Sequence, residues 1–210
     1  MTDPCEKVYK PSEDTYLTIK GLETILNTKI LEHKRGGILK VVEIGSGTGI
    51  ITISFLRKLN KKNVYAILTD IKYDAARCTY KNLKENKLDN VCDVVQTDVI
   101  SCIKPSLRVD LVVSNPPYLP VSNGEPCEPE YCGGPTGREV IDRIIREFST
   151  RKTRVLVLTQ SSLSDVEQTV RTLKTSGDVI IVGLLHMLFE DIITLACVRL
   201  VLHCNHTVNH

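Results

Sequence analysis

The sequence Asn-Pro-Pro-Tyr at 115–118 has the residue types best suited to chemistry, and it follows an apolar run at 109–113. Two prolines in a row fix the backbone and remove two N–H donors, so the carbonyls of Asn115 and Pro116 can point outward as acceptors. With the side-chain oxygen of Asn115 they could receive both hydrogens of a planar NH2 group, and Tyr118 could form one wall for the flat substrate. We therefore predict a site that holds an amide or amine nitrogen and works through positioned acceptors rather than a strong base. The alternative is a proline-rich turn without a ligand.

A glycine-rich stretch from Glu43 to Gly49 follows another apolar run and precedes a helical pattern. Glycines such as Gly45 and Gly47 allow sharp turns and a close approach of the backbone to a ligand. The spacing is GxGxG rather than the GxGxxG of dinucleotide sites, and Glu43 would repel a pyrophosphate but suit a cation. S-adenosylmethionine, which carries a sulfonium and an ammonium, matches this preference. A tight strand-to-helix turn with no ligand would have the same sequence, so the loop alone is weak evidence.

Two further acids stand at the ends of strand-like runs. Asp70 ends the second run and could accept both hydroxyls of a ribose, as in other doubly wound folds. Asp98 follows the third run, Asp93–Thr97, and could accept from an adenine amino group. Each acid could instead be a helix cap or a turn residue. Because Glu43, Asp70 and Asp98 end three successive strands, which share one edge of an open α/β sheet, the sequence predicts a ligand site at that edge.

Apolar runs rich in β-branched residues alternate with helical patterns such as Ile50–Leu59 and Ala75–Asn86, which predicts an α/β fold. After Gly177 two runs follow each other without a helix-length segment between them, so they should pair antiparallel. We predict a single domain over residues 1–210, with a mostly parallel sheet that ends in an antiparallel hairpin. The predicted strands are Leu39–Ile44, Val64–Thr69, Asp93–Thr97, Val109–Val113, Val155–Leu158, Val179–Leu184 and Ile192–Leu202.

Composition and cysteine usage narrow the function classes. The net charge of +2 is too small for a dedicated nucleic-acid binder, and 5% aromatic residues leave few to stack a flipped base. The N-terminal residues lack a signal-peptide core, and the longest apolar run is too short to span a bilayer. Eight cysteines without a CxxC pair predict reduced thiols in the cytoplasm, with the nucleus as a second compartment. We predict no metal site, since Cys127 and Cys132 are interpreted as loop thiols and the tail at 203–206 as a solvated terminus.

Four blocks of sequence resemble the HemK-like branch of class I methyltransferases. They lie at Val8–Leu17, Glu43–Gly49, Asn115–Tyr118 and Gly133–Arg143, so they span most of the chain. The Asn-Pro-Pro-Tyr block is shared with adenine-amino DNA methyltransferases. The first and last blocks are similar, more narrowly, to the eukaryotic and archaeal catalytic subunits that methylate the glutamine of the Gly-Gly-Gln loop in class-1 translation termination factors.

The resemblance implies a Rossmann-like class I methyltransferase fold with a seven-stranded sheet, and S-adenosyl-L-methionine as the cofactor. It implies that Asn115 and Pro116 grip the substrate amide beside Tyr118. It also implies an obligate heterodimer with a small zinc-binding activator of methyltransferases. The chain departs from many relatives in its short N-terminus and in a truncated segment between its last two strands. The predicted cofactor contacts are Thr15, Glu43, Gly45, Gly47, Asp70, Asp98, Val99 and Asn115.

Other functions stay open at this point. An adenine-amino methyltransferase acting on nucleic acid or a histone lysine methyltransferase would use related chemistry. A non-enzymatic scaffold that binds the cofactor would have no need for the aligned acceptors around Asn115. A nicotinamide-dependent dehydrogenase is disfavoured by the glycine spacing and by the lack of an evident proton relay.

The third predicted strand, Asp93–Thr97, lies at the sheet edge in the strand order that the resemblance implies. Val94 and Val95 put an apolar side chain on each face of this strand, and it contains neither lysine nor proline. Such an edge invites strand addition by another chain. A loop or a terminus of the chain could cover it, but the resemblance supplies the zinc-binding activator, and we predict that this activator does so.

Overall fold

The computed structural model of the chain describes residues 3–31, 37–59, 63–122 and 124–199. In this part of the chain helices and strands alternate, and no helix is long and apolar enough to cross a membrane. The helices are α1 (Glu13–Asn27), α2 (Ile50–Lys58), α3 (Tyr73–Glu85), α4 (Glu139–Thr150) and α5 (Val166–Lys174). The strands are β1 (Leu39–Ile44), β2 (Val64–Asp70), β3 (Cys92–Gln96), β4 (Leu111–Ser114), β5 (Val155–Ser161), β6 (Asp178–His186) and β7 (Asp191–Val198).

The seven strands form one sheet in the order β3-β2-β1-β4-β5-β7-β6. The first five strands in this order are parallel, and β7 runs antiparallel to both β5 and β6. The predicted fold class is therefore confirmed, including the hairpin at the C-terminal end. The bounds of β1 match the prediction, whereas the other six strands differ from it by one to four residues at one or both ends. For example, β3 spans Cys92–Gln96 rather than Asp93–Thr97, β4 begins at Leu111 rather than Val109, and β7 ends at Val198 rather than Leu202. The last residues of that predicted strand, 200–202, lie outside the described residues, as does the tail at 203–206.

Helices cover both faces of the sheet, so successive strand residues alternate between two cores. In β1, Val41 packs in the core that includes residues of α1 and α2, whereas Val42 packs in the core that includes residues of α4. In β5, Val157 packs in the first of these cores and Leu158 packs in the second. Burial on both faces explains why the central strands β4 and β5 begin as continuous apolar runs. The carboxyl ends of β1, β2 and β4 meet at one edge of the sheet, where the predicted site residues stand.

Within the described ranges, four cysteines form two disulfides, which corrects the expectation of reduced thiols. Cys5 is bonded to Cys78 of α3, with Cα atoms 4.9 Å apart, and this bond fastens the N-terminal segment to the body of the protein. Cys127 is bonded to Cys132 in the loop before α4, so these two residues are not loop thiols. Among the described residues, the free cysteines are Cys92, Cys102 and Cys197.

Candidate active site

A cavity of about 540 Å³ opens at the carboxyl edge of the sheet, beside the ends of β1, β2 and β4. This volume is within the range of roughly 300–1,000 Å³ that is usual for small-molecule sites. Of the ten residues predicted to form the site, every one except Glu43 lines the cavity. The nine that do are Thr15, Gly45, Gly47, Asp70, Asp98, Val99, Asn115, Pro116 and Tyr118.

The glycine loop after β1 needs its glycines for the backbone conformation. Gly45, Gly47 and Gly49 have φ angles of +70°, +54° and +76°, a region that other residues rarely adopt. A Cβ atom at Gly45 would meet nothing within 4 Å, so the backbone is open to the cavity there. The loop therefore presents bare peptide groups to whatever the cavity binds.

Asp70, at the end of β2, ties the glycine loop to the cavity wall. It is only 8% exposed, and its two carboxylate oxygens accept hydrogen bonds from the backbone N–H groups of Gly47 and Lys72, both at 2.9 Å. Burial raises the pKa of Asp70, while the two backbone donors act in the opposite direction. Because each carboxylate oxygen can accept more than one hydrogen bond, Asp70 can hold the loop and still receive a ligand hydroxyl.

Glu43 lies behind the glycine loop, so the structure does not bring it together with the other predicted site residues. Its side chain is 1% exposed, Oε2 accepts from the backbone N–H of Thr52 at 3.0 Å, and Oε1 has no hydrogen-bond partner. Burial raises the pKa of Glu43 to about 8, so the carboxyl is mostly protonated at neutral pH. Glu43 therefore anchors the first turn of α2 and does not provide the fixed negative charge that the sequence argument assigned to it.

Val99 and Asp98 form the wall of the cavity after β3. Val99 has a φ of +50°, which is rare for a β-branched residue and typically costs about 1–3 kcal/mol. The hydroxyl of Thr69 donates to the carbonyl of Val99 at 2.8 Å and helps to hold this conformation. Asp98 is exposed and forms an ion pair with Arg143 of α4. Strained backbone of this kind is concentrated at functional sites, which supports the assignment of this wall to a binding site.

Asp14, in the first turn of α1, is the site residue that sequence reasoning missed. Its carboxylate is 8% exposed and accepts from the hydroxyls of Tyr9 at 2.8 Å and Tyr118 at 3.0 Å, and from Nδ2 of Asn115 at 2.9 Å. The backbone N–H of Thr15 donates to it as well, at 2.6 Å. Burial of both tyrosines, with Asp14 close by, raises the pKa of each phenol, so both stay protonated and act as donors. The only hint in the sequence is that Asp14 stands within the first of the four blocks.

Asp14 determines which atom of the Asn115 side chain is available to a ligand. Because Nδ2 of Asn115 donates to Asp14, the amide is oriented with Oδ1 on its other side, where this oxygen is buried and has no hydrogen-bond partner. Leaving such an acceptor unsatisfied costs about 1–3 kcal/mol, which an N–H donor from a ligand would recover. The geometry therefore agrees with the predicted role of Asn115 as an acceptor for a nitrogen-bound hydrogen.

The segment at 131–137 supports the Asn-Pro-Pro-Tyr turn from behind. The backbone N–H of Leu119 donates to the carbonyl of Tyr131, and the N–H of Gly133 donates to the carbonyl of Leu119, both at 2.9 Å. A Cβ atom at Gly137 would collide with the carbonyl oxygen of Tyr118. Gly137 is thus needed where the chain passes close to the Asn-Pro-Pro-Tyr turn.

The sheet order, the cavity at the strand ends and the acceptor turn define a class I methyltransferase. A family model described as the methyltransferase small domain matches residues 23–124. A Methanocaldococcus jannaschii protein with the provisional name protein N5-glutamine methyltransferase is 32% identical over 201 residues, which are 92% of this chain and 93% of that protein. The chain belongs to the HemK-like family of protein glutamine methyltransferases, and its cofactor is S-adenosylmethionine.

Two further comparisons concern proteins with a named substrate. The eRF1 methyltransferase catalytic subunit mtq2 of Schizosaccharomyces pombe is 30% identical over 156 residues, which are 68% of this chain and 67% of that protein. The solved structure of the E. cuniculi Mtq2-Trm112 complex, described as responsible for the methylation of the translation termination factor eRF1, has a TM-score of 0.64 at 25% identity. The similarity covers 92% of this chain and 99% of the solved one.

Proposed function

We propose that this chain transfers a methyl group from S-adenosylmethionine to the side-chain amide nitrogen of the glutamine in the Gly-Gly-Gln loop of a class-1 translation termination factor. The observation that carries the proposal is the buried, unpartnered Oδ1 of Asn115, which the Asp14 carboxylate orients through Nδ2. Two relatives whose names or descriptions specify eRF1 as substrate support the choice of the protein that is modified.

The difficulty of the reaction lies in the amide nitrogen, whose lone pair is delocalised into the carbonyl group. When bound, S-adenosylmethionine supplies an electrophilic methyl group on its sulfonium. Asn115 Oδ1 and the backbone carbonyls of Asn115 and Pro116 would hold the two amide hydrogens and localise the lone pair toward the methyl group. Tyr118, kept in place by Asp14, would form the wall against the planar amide. The new nitrogen–carbon bond forms as the methyl–sulfur bond breaks, and the nitrogen then releases one of its two hydrogens to water as a proton. This release needs no strong base, because an N-methylated amide cation is strongly acidic. Catalysis therefore rests on preorganised acceptors and alignment.

A methyl-transfer assay with radiolabelled S-adenosylmethionine tests this function. We expect label in the purified termination factor and none in a variant whose target glutamine is replaced by glutamate, because glutamate has no amide nitrogen. Histone tails and DNA serve as competing substrates in the same assay. Label in DNA alone would favour an adenine-amino methyltransferase, and label in histone lysine alone would favour a lysine methyltransferase.

We also propose that a small zinc-binding activator covers β3 and that the heterodimer acts in the cytoplasm, with the nucleus as a second compartment. Among the described residues, β3 pairs only with β2, and its Val94 and Val95 are half-buried. Tyr73 and Tyr80 of α3, which are 62% and 48% exposed, border the same groove as Val94 and would enlarge the apolar contact. The partner named in the Mtq2-Trm112 complex supports an activator of this kind.

A further inference from the structure

The turn between β6 and β7 exposes apolar side chains to an unusual degree. Leu188 is 94% exposed and Phe189 is 91% exposed, the highest values for large apolar side chains in the described part of the chain. Met187 beside them is 50% exposed. Adjacent exposed apolar side chains of this size mark interaction sites in soluble proteins.

Hydrogen bonds at its base hold this turn in place. The backbone N–H of Met187 donates to the carbonyl of Glu190 at 3.0 Å, and Nδ1 of His186 contacts Oδ1 of Asp191 at 2.7 Å. The backbone N–H of Asp191 also donates to the hydroxyl of Ser162 at 3.0 Å. The turn is thus fixed to the sheet and to the segment after β5, so Leu188 and Phe189 are displayed on a well-supported element.

The same turn reaches the catalytic cavity. Met187, Glu190 and Ile192 all line it, together with Asn115 and Tyr118. Oε2 of Glu190 is buried and has no hydrogen-bond partner, although the residue as a whole is only half-buried. An exposed apolar tip and a cavity-lining residue with an unsatisfied acceptor therefore stand within two residues of each other.

We infer that the turn Met187–Glu190 is the docking element for the protein substrate, an inference that rests on the proposed function. Leu188 and Phe189 insert into an apolar depression on that protein beside its target loop. Glu190 Oε2 accepts a backbone N–H of the loop whose glutamine enters the cavity. The turn lies between the strands at the β6 end of the sheet, whereas β3 is at the opposite edge, so substrate and activator can be bound at the same time.

The chemistry of the turn favours a protein over a nucleic acid. Its exposed tip is apolar, and the titratable side chains that flank it are Glu190 and the hydrogen-bonded pair His186 and Asp191. A phosphate backbone needs Lys or Arg at this position, and two carboxylates would repel it. An apolar protein surface matches Leu188 and Phe189 at the tip, and a peptide N–H group matches the unsatisfied Oε2 of Glu190.

Binding of the purified termination factor to the heterodimer tests the inference directly. We expect the double variant Leu188→Ser with Phe189→Ser to weaken binding at least roughly tenfold, as truncation of an apolar interface anchor does. Ile38→Ser is the matched control, because Ile38 is 56% exposed just before the amino end of β1, at the opposite end of that strand from the cavity. It should bind as the wild type does. Calorimetric titration with S-adenosylmethionine should give the same affinity for all three proteins, which verifies that the fold is intact.

Unchanged binding of the termination factor by the double variant would overturn the inference. It would also be overturned if the double variant loses its activator, or if the wild-type heterodimer self-associates in sedimentation and the double variant does not, since the turn would then serve another partner.

Glu190→Ala should raise the KM for the termination factor without a comparable fall in kcat, and an unchanged KM would contradict the role of Oε2. A wild-type complex that binds the factor tightly and does not methylate it would refute the proposed function while leaving the docking result in force.

Discussion

At the scale of single residues, catalysis should depend on Asp14 as a positioning residue for Asn115. An asparagine at 14 offers a donor as well as an acceptor, so the Asn115 amide could rotate and present Nδ2 to the substrate. We expect Asp14→Asn to lower kcat by roughly 10- to 100-fold, and Asn115→Ala to lower it by roughly 100- to 1,000-fold, the scale for loss of a preorganised polar group. Single-turnover rates at saturating cofactor measure both effects.

The matched control for Asp14→Asn is Asp89→Asn, which makes the same chemical change at an exposed position between α3 and β3. Its kcat should equal that of the wild type. A merely structural role of Asp14 would lower cofactor affinity and thermal stability in proportion to the loss of kcat. Retained cofactor affinity with a reduced kcat would identify the positioning role, and an unchanged kcat in Asp14→Asn would contradict it.

Glu43 should make the stability of the protein depend on pH. Burial raises the pKa of Glu43 from 4.5 to about 8 in the folded state, so between these values the folded chain holds a proton that the unfolded chain has released. The stabilisation is complete below pH 4.5 and is lost as the pH rises toward 8, at about 1.4 kcal/mol per pH unit. Glu43→Gln copies the protonated form and should remove this part of the dependence. Urea unfolding of both proteins at pH 5, 6.5 and 8 measures the difference, and parallel stability curves would show that Glu43 titrates normally.

At the scale of secondary-structure elements, β3 should carry the contact with the activator. Val94→Lys puts a charge beside the edge of β3 that pairs with no described strand, and it should weaken the heterodimer by at least roughly tenfold, because the ammonium must lose water on association. Ile181→Lys, at a 64% exposed position on the opposite edge strand β6, is the matched control and should leave the heterodimer intact. Co-purification and sedimentation of the two complexes make the comparison. Equal stability of both complexes would place the activator elsewhere.

The same scale shows which parts of the fold the sequence could predict. Runs such as Val155–Leu158 are buried on both faces, so their apolar character is continuous and their positions are evident. The end of β3 was harder, because Thr97 still donates to the carbonyl of Asp70 at 2.9 Å although the strand itself ends at Gln96. The docking turn at 187–190 has no periodic pattern, so its place beside the cavity follows only from the tertiary structure.

The cavity residues also differ in whether their place could be predicted from the sequence. Gly45 and Asn115 directly follow strands and Asp70 ends one, and the parallel strands bring all three to one edge by topology alone. Asp14 reaches the site from an N-terminal helix, and nothing in its neighbours indicates that Asn115, 101 residues away, will donate to it. Glu43 shows the opposite error, since its position at a strand end is right but its side chain lies behind the loop rather than in the cavity.

At the scale of the whole molecule, the Cys5–Cys78 disulfide connects folding, cofactor binding and cellular compartment. It joins residues 73 positions apart and fixes the segment that carries Val8 and Tyr9, which line the cavity. In the chain-entropy model a bond that closes a loop of this length stabilises the folded state by about 4 kcal/mol, whereas the short loop between Cys127 and Cys132 gains less.

Reduction of this bond should therefore weaken the fold and the binding of S-adenosylmethionine together. We expect a phosphine reductant to lower the melting temperature and the cofactor affinity of the wild type. Cys5→Ser should begin at the lower values and respond much less, because of the two disulfides described it retains the one that closes the short loop. Disulfides are rare in the cytosol. Alkylation and mass spectrometry of protein taken directly from cells would show whether Cys5 and Cys78 are bonded there, and hence whether the compartment is oxidising. If Cys5 and Cys78 are alkylated there and the wild type is insensitive to reductant, the tether is dispensable and the cytoplasmic proposal is favoured. Protected cysteines with a reductant-sensitive wild type would argue for an oxidising compartment.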